Sequence, residues 1–489
     1  PGIDEFYNTP EEAEQAVNSV YSVLQFFGVY NRYWGYVQGA RSDESDFTQY
    51  QVGLPEVQGL DDFSVTSSVV AVHETWRDHY KGILKANMVL EHIPGISFSD
   101  ENHKNRILGE VYFLRALYHF NLIKFFGEEI PMYDKVPADE DDFYPSPAAP
   151  GAIYEFIEAD LILSKSLLPN VEAYRGTEHI GRASKGAATA LLGTVYLFQE
   201  KYNEAATEFG AVLNGECGHY ELIPRFRENH NEVNENNLES LFEVQYLFTE
   251  GNAWRIADES EAACEEQVIQ QGQTMVRGTA GSMWWNMCPS EVMIAEFEPE
   301  DPRYYKTFWC PGGDTYQDGE NALTYEEYSV GAAPYFGWRK WGHDYASADI
   351  ESDVNIRVIR LADVYLMYAE CVIEGAPATA GTAEAAINAV RDRARNIPDA
   401  GNYSLPGALP TVEELIAEAP VINGRRIDNL RAALRHERMV ELAGEGKRWD
   451  DIVRWGIGQE VCGEFFKPWL PVYQGDLDTN PNLKPNSSN

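Results

Sequence analysis

The sequence predicts a mainly α fold, a superhelix of tetratricopeptide-like helix pairs with an irregular, loop-rich ligand-binding region carrying short strands. Three observations predict it. Apolar residues recur at helical spacing in several long stretches. Residues 183–214, ASKGAATALLGTVYLFQEKYNEAATEFGAVLN, put Leu192, Gly193, Tyr196, Ala205 and Phe209 at the offsets of a helix-pair repeat. Two further stretches, 28–71 and 220–353, lose that period and fill with Gly, Pro, acids and aromatics. The chain is read as one domain, 1–489, with its helical frame in 9–27, 72–214 and 355–456.

Taken in order, Pro10 to Phe27 reads as the first helix. Thr9 is its N-cap, Pro10 takes the first helical position, and Glu12 completes a capping box. Ala13, Ala16, Val17, Val20 and Leu24 form its apolar stripe. From Gly28 to Ser68 the pattern breaks, and long irregular segments in compact proteins often carry function. Helical period returns at 72–93 and 105–127, where Gly127 is a natural stop. An acidic, Pro-rich connector follows, then a helix from Ala152 to Leu168 closed by Pro169. In the repeat at 183–214, small Gly193 and Ala205 let two helices approach while Tyr196 and Phe209 fill the groove. One repeat cannot bury its own face. The helices at 72–93, 105–127 and 358–374, and the pair at 382–396 and 425–444, are its candidate neighbours. Between Tyr220 and Asp353, runs such as LESLFEVQYLF read as loops, short strands and small helices inserted into that frame.

Charge narrows the functions. Against 38 Lys plus Arg stand 78 Asp plus Glu, a formal net charge of -40. Phosphate binding needs clustered cations, so nucleic acid is excluded as a partner. The acids are spread along the chain. That favours solvation in a salty medium over attraction of a cationic ligand, and the scarcity of Lys suits the same reading. No cofactor is expected, with Ca²⁺ left open. No apolar run reaches the roughly 18 residues of a membrane span.

Several motifs are weighed and set aside. None of Cys217, Cys264, Cys288, Cys310, Cys371 and Cys462 stands at CxxC spacing, so they read as small buried hydrophobes rather than a zinc site. HETWRDH (73–79) separates its two His by roughly 240° around a helix, too far to grip one metal. Asp139 to Asp142 lacks the Gly turn of a Ca²⁺ loop and reads as solvated loop. There is no nucleophile elbow, Walker loop or dinucleotide turn.

The aromatics carry more. Tyr30, Tyr33, Trp34, Tyr36, Tyr50, Trp254, Trp284, Trp285, Trp309 and Tyr316 all fall in apparently irregular segments. Apolar C–H faces of sugars stack on such rings while carboxylates and amides bind hydroxyls, and peptides suit the same surface. Covering the helical frame is the competing role for each ring.

A resemblance runs along nearly the whole chain. RRIDNLRAALRHERMVELAGEGKRWDDIVRWG (425–456) resembles the C-terminal signature of the SusD/RagB family, through Glu437-Arg438, Glu441, Glu445, Arg448-Trp449-Asp450 and Arg454-Trp455-Gly456. IRLADVYLMYAEC (359–371), FLRALYHFNLIKFFGEEIPM (113–132), Asp160-Leu161, Gly181 to Lys185, EPEDPR (298–303) and FKPWLPVYQGDLDTNPNLKPN (466–486) agree with it in order. On a helix Glu437 and Glu441 share a face, and Arg438 is expected to reach Glu441 or Glu445. Arg448 and Arg454 are expected to pair with Asp450, Asp451 or the acids above, with the Trp rings covering them. The cluster is therefore expected to brace the interior rather than touch ligand.

The resemblance implies an outward-facing outer-membrane lipoprotein of Bacteroidetes-type bacteria. It implies non-catalytic capture of oligosaccharide or polysaccharide and delivery to a SusC-like, TonB-dependent transporter. The lipid-bearing Cys is expected to have been removed from this sequence. By analogy the ligand residues are Trp34, Tyr36, Asp43, Glu44 and Tyr50 from one region and Trp254, Trp284 and Trp309 from another, while Trp285 anchors the fold. The rival readings are a RagB-like peptide-capture protein, a glycan-degrading enzyme, and a tetratricopeptide scaffold inside the cell.

Overall fold

The computed structural model describes residues 7–47, 59–61, 63–231, 234–247, 287–309, 315–318, 321–324, 337–340, 354–397 and 407–463. Its frame is a succession of helices: α1 (Pro10–Ser22) and α2 (Arg32–Gly39), both packed on α3 (Val70–His92), and then α4 (Glu101–Phe126), α5 (Ala152–Leu167), α6 (Lys185–Phe198) and α7 (Tyr202–Leu213), each packed on the one before it from α3 onward. α7 then packs against α10 (Leu361–Ile373), which lies next to α11 (Ala383–Arg395). The chain thus rejoins the stack at Leu361 beside α7, which ends at Leu213. Short α12 (Val412–Glu418), α13 (Leu430–Glu441) and α14 (Arg448–Arg454) close it.

The repeat at 183–214 forms as its residues predict. Ser184 caps α6 through the Ala187 amide. A Cβ on Gly193 would stand 2.7 Å from the Phe209 ring, so only glycine lets these two helices meet. Thr9 and Glu12 form the expected capping box. Between α4 and α5, Arg115 grips Asp160 with two hydrogen bonds of 2.7 Å, and the Ser164 hydroxyl donates to Gly109 O at 2.8 Å.

Apart from helix ends that shift by a few residues, the structure differs from the sequence reading in four places. The first helix ends at Ser22 and tightens into a 3₁₀ turn over Val23–Gln25, because the chain must bend where the Gly28 amide donates to Asp78 on α3. The segment expected to be irregular after Gly28 contains α2, whose aromatic, Gly-containing sequence has weak helix propensity and is held by burial of Tyr33, Trp34, Tyr36 and Val37. Residues 358–360 belong to strand β8 (Ile356–Arg360), paired antiparallel with β2 (Ser240–Val244), before the helix begins at Leu361. Both strands are buried throughout, so their apolar runs show no alternation to distinguish them from helix. Residues 421–426 form a hairpin of β9 (Val421–Ile422) and β10 (Arg425–Arg426), turned by Asn423 and Gly424 at φ 49° and 73°.

Cys217 and Cys371 are buried free thiols, Cys288 is buried and Cys462 is a half-buried free thiol, while Cys264 and Cys310 lie outside the described residues. His73 is exposed and His79 is buried, so the two histidines of HETWRDH face different surroundings. Asp139 and Glu140 are solvent-exposed.

Candidate functional site

One short ladder joins the two irregular segments to each other, and a second lies within 220–353. β1 (Ser45–Phe47) pairs antiparallel with β3 (Met287–Pro289), and the Ser290 amide and hydroxyl donate to Glu44 O at 3.0 Å and Asp43 O at 2.5 Å. β4 (Phe308–Trp309) pairs with β7 (Gly337–Trp338). Short helices α8 (Glu291–Glu296) and α9 (Tyr304–Thr307) lie between them, and a separate hairpin pairs β5 (Thr315–Asp318) with β6 (Asn321–Thr324). Segments separated by over two hundred residues in sequence thus share one foundation.

That foundation is ionic and buried. Arg303 lies against Asp301, Glu437 and Glu441, with Nη distances of 2.7, 2.5 and 2.9 Å. Arg360 reaches Glu239, Glu441 and Glu445, and Arg391 bridges Glu298 and Glu437. Arg393 adds contacts to Glu239 and Glu441. Lys340 Nζ donates to Glu441 O, Ala443 O and the Glu445 carboxylate, which pins the end of the inserted segment to the turn after α13. His436 sits between Glu296 and Glu298 at 3.1 and 3.0 Å. Burial would push the Glu445 carboxyl up, but Arg360 and Lys340 outweigh it and hold it at about 2.

Bracing is therefore the role of the 438–456 cluster, with two partners corrected. Arg438 pairs with Asp451 and Asp363 rather than Glu441 or Glu445. Arg448 pairs with Asp43 at 2.6 Å, not with the neighbouring Asp450 or Asp451. Its side chain points across the helix end to β1, whereas i,i+3 spacing serves Arg454 and Asp451. Trp455 donates to Glu370 at 3.0 Å, and Arg41 stacks 4.8 Å from the Trp449 ring. Arg448→Ala is expected to cost ~3–5 kcal/mol by stranding Asp43 in the interior. Urea unfolding measures it; an unchanged midpoint with lost ligand binding would make Arg448 a contact residue instead.

The candidate ligand residues separate into two groups. Trp34 is packed on Tyr30 at 4.3 Å and Phe125 at 5.5 Å. Tyr36 is 1% exposed in a small cluster with Tyr33, Val37 and Met287. The Asp43 carboxylate is engaged with Arg448, and Glu44 accepts the Gly444 amide at 3.1 Å. All four side chains are buried, and Asp43 and Glu44 directly precede β1. An aromatic, acidic stretch has the same composition whether its rings point outward or into a crevice, so local sequence could not separate the two. Tyr50, Trp254 and Trp284, with the predicted anchor Trp285, lie outside the described residues. Trp309 is described through its backbone, paired with Gly337. Arg303, Arg360, Arg391 and Arg393 went unassigned in the sequence; a charged residue inside an apolar run, as in IRVIRLADV, is the signal that marks the second of them.

Trp34 also lines a cavity of about 60 Å³ shared with Tyr30, Lys124, Arg438, Glu445 and Asp450, room for water rather than a sugar ring. Among the described residues no group of His, Cys, Asp and Glu is arranged to hold a metal, and no helix is long and apolar enough to cross a membrane.

Comparison with known families decides the relationship. The SusD family model matches residues 239–482, and the model described as starch-binding associating with outer membrane matches residues 27–197. The chain belongs to the SusD/RagB family. Among SusD relatives, SusD-like protein P2 of Formosa agariphila is 27% identical over 99% of this chain and 93% of its own length. SusD-like protein P25 of the same organism is 24% identical over 98% and 88%. A solved laminarin binding SusD-like protein is 25% identical with TM-score 0.72, covering 94% of each chain. Surface glycan-binding protein A from Bacteroides thetaiotaomicron, solved with laminarihexaose, shares the SusD fold at TM-score 0.68 and 19% identity, covering 93% of this chain and 92% of its own. The matched SusD region, 239–482, contains Glu239, Arg303, Arg360, Arg391 and Glu441, so the ionic foundation falls within the family's own segment.

Proposed function

We propose that this protein is a non-catalytic, surface-exposed binder of oligosaccharide or polysaccharide that passes its ligand to a SusC-like, TonB-dependent transporter. In this reading chain 1–489 is one domain, held to the outer membrane by an N-terminal lipid anchor. The observation that carries the reading is the joining of two irregular segments on one rigid frame. β1 and β3 tie them together, and Asp43–Arg448, Glu44–Gly444 and Lys340–Glu445 fasten them to the last helices. A binding site made of loops needs such a base, because contacts placed on unsupported backbone lose affinity to ordering entropy. The ligand contacts are proposed in 28–71 and 220–353, with Tyr50, Trp254, Trp284 and Trp309 as stacking rings. Trp34, Tyr36, Asp43 and Glu44 act beneath them. Glycan is favoured over peptide by the laminarin and laminarihexaose ligands of the two solved relatives.

Native gels cast with single polysaccharides, laminarin first, test the reading. Retardation by at least one glycan and by no peptide pool is expected, with no reducing ends released. Retention of peptides alone would move the protein to peptide capture, and new reducing ends would make it an enzyme.

A further inference from the structure

The connector between α4 and α5 is a closed loop. Its ends meet where Ala148 N donates to Ile130 O at 2.9 Å and Pro131 bridges Pro147. Compact surface loops with adjacent ends are frequent carriers of function. This one is fastened from behind. Asn87 Nδ2 on α3 donates to Tyr133 O at 3.0 Å and Lys135 O at 3.1 Å, and Arg115 on α4 donates to Asp134 O at 3.2 Å. Within it, the Tyr133 hydroxyl donates to Phe143 O at 3.0 Å and Lys135 pairs with Asp142 at 3.2 Å.

For all this fastening, the tip presents apolar surface to water. Phe143 is 57% exposed and Tyr144 84% exposed. Adjacent large aromatics left in solvent on a braced loop mark a contact surface rather than a frayed end. Half-buried rings continue the surface back onto the helices. Tyr133 lies 5.5 Å from Tyr80, Tyr80 lies 4.9 Å from Trp76, and Trp76 lies 5.0 Å from Phe126. The Tyr80 hydroxyl is spent on Pro131 O at 2.7 Å, which fixes that ring's attitude. Burial and the nearby Tyr144 both raise the Tyr133 phenol, so it stays neutral.

We propose that the strip Trp76–Tyr80–Tyr133–Tyr144 is a second glycan-contact surface, separate from 28–71 and 220–353, that takes the ring faces of a neutral polysaccharide. The proposal rests on the glycan-binding reading above and adds a second place and a charge class. Neutrality follows from the surroundings. Asp134, Asp139 and Glu140 are exposed on the loop, and its one cation, Lys135, is tied to Asp142. On the loop, sulfated or uronate chains and anionic lipid headgroups would meet these carboxylates, and the one partly exposed cation beside Trp76, Arg77, is already paired with Glu74 and Asp78. Fixed tyrosine and tryptophan rings offer apolar faces at little conformational cost, and the flanking carboxylates accept hydrogen bonds from sugar hydroxyls. A second contact on the same polymer acts through effective concentration, so it strengthens binding of long chains and leaves short ones alone.

The test uses the full chain and the double variant Phe143→Ser/Tyr144→Ser, whose side chains are exposed. Affinity is measured by calorimetry for a neutral glycan that the wild type binds, as polymer and as trisaccharide, with melting temperature alongside. A loss of about tenfold or more for the polymer is expected, with trisaccharide affinity and melting temperature unchanged and sulfated polymers bound no better than before. Equal polymer affinity in variant and wild type overturns the proposal. An equal loss for trisaccharide and polymer also overturns it, by placing the loop in the primary site. Unchanged glycan binding with lost co-purification of an outer-membrane protein would make the strip a protein-docking surface instead. A wild type that binds no glycan in any form fails the broader reading first, and the proposal with it.

Discussion

Glu441→Gln is expected to destabilise the protein by ~3–5 kcal/mol, and urea unfolding followed by tryptophan fluorescence measures it. The wild-type carboxylate accepts from Arg303 at 2.9 Å, from Arg360 at 2.6 Å and from Arg393. All four side chains are buried. Burial alone would raise this carboxyl, but Arg393, Arg360 and Arg303 outweigh it and hold it far below the usual carboxylate range. An exposed pair is worth little, because water replaces the lost partner; Asp392→Asn on α11, whose side chain is 56% exposed beside Arg395, is the control and should change stability by about 1 kcal/mol or less. At Glu441 no water waits. Glutamine keeps the shape but removes the charge and turns an amide N–H₂ toward guanidinium groups, leaving three cations short of a counter-ion. If Glu441→Gln unfolds at the same urea concentration as the control, the network is not what holds the inserted segment to the last helices.

Stability should also fall on the alkaline side of neutrality, through two buried groups. Burial pushes the Glu44 carboxyl from 4.5 up to about 8; the Gly444 amide only partly offsets this and Asp43 adds to it. Below 4.5 both folded and unfolded chains hold that proton and Glu44 costs nothing. As pH climbs toward 8 the unfolded chain releases the proton and the folded chain keeps it, so stability drains away across that interval. Burial would lower His436, but its hydrogen bonds to Glu296 and Glu298 prevail and raise it from 6.5 to about 9. Its contribution is complete below 6.5 and is lost as pH rises through 9. The acid limb has other owners. Burial lowers His79 to about 4, so charging it in the unfolded chain costs stability from 6.5 downward; Glu445, at about 2, follows below 4.5. The melting temperature should therefore peak at about pH 6 to 7. Glu44→Gln isolates one contribution. It should melt with the wild type at pH 5 and above it at pH 8.5, by the equivalent of roughly 2–5 kcal/mol. Parallel curves for variant and wild type would show that Glu44 is ionised in the fold.

The frame was legible where local chemistry is self-sufficient. Thr9 and Glu12 define a helix start within four residues, and Gly193 with Phe209 defines a close helix pair within one repeat. Legibility failed where a neighbour far along the chain supplies the reason. β8 looks like the first turn of α10 until β2 is placed beside it. α2 looks like loop until its aromatic face is buried.

What the sequence by itself determined is the class of fold, the repeat at its centre, the family and the bracing role of the 438–456 cluster, since each is carried by spacing along the chain. Only the tertiary structure decided which charge meets which. Arg448 finds Asp43, and Arg303 finds Glu437, because packing brings distant segments together and buries both partners of each pair. It likewise decided that Trp34 and Tyr36 are buried, while Phe143 and Tyr144 stand in solvent. Burial depends on everything packed around a side chain, and no local stretch contains that information.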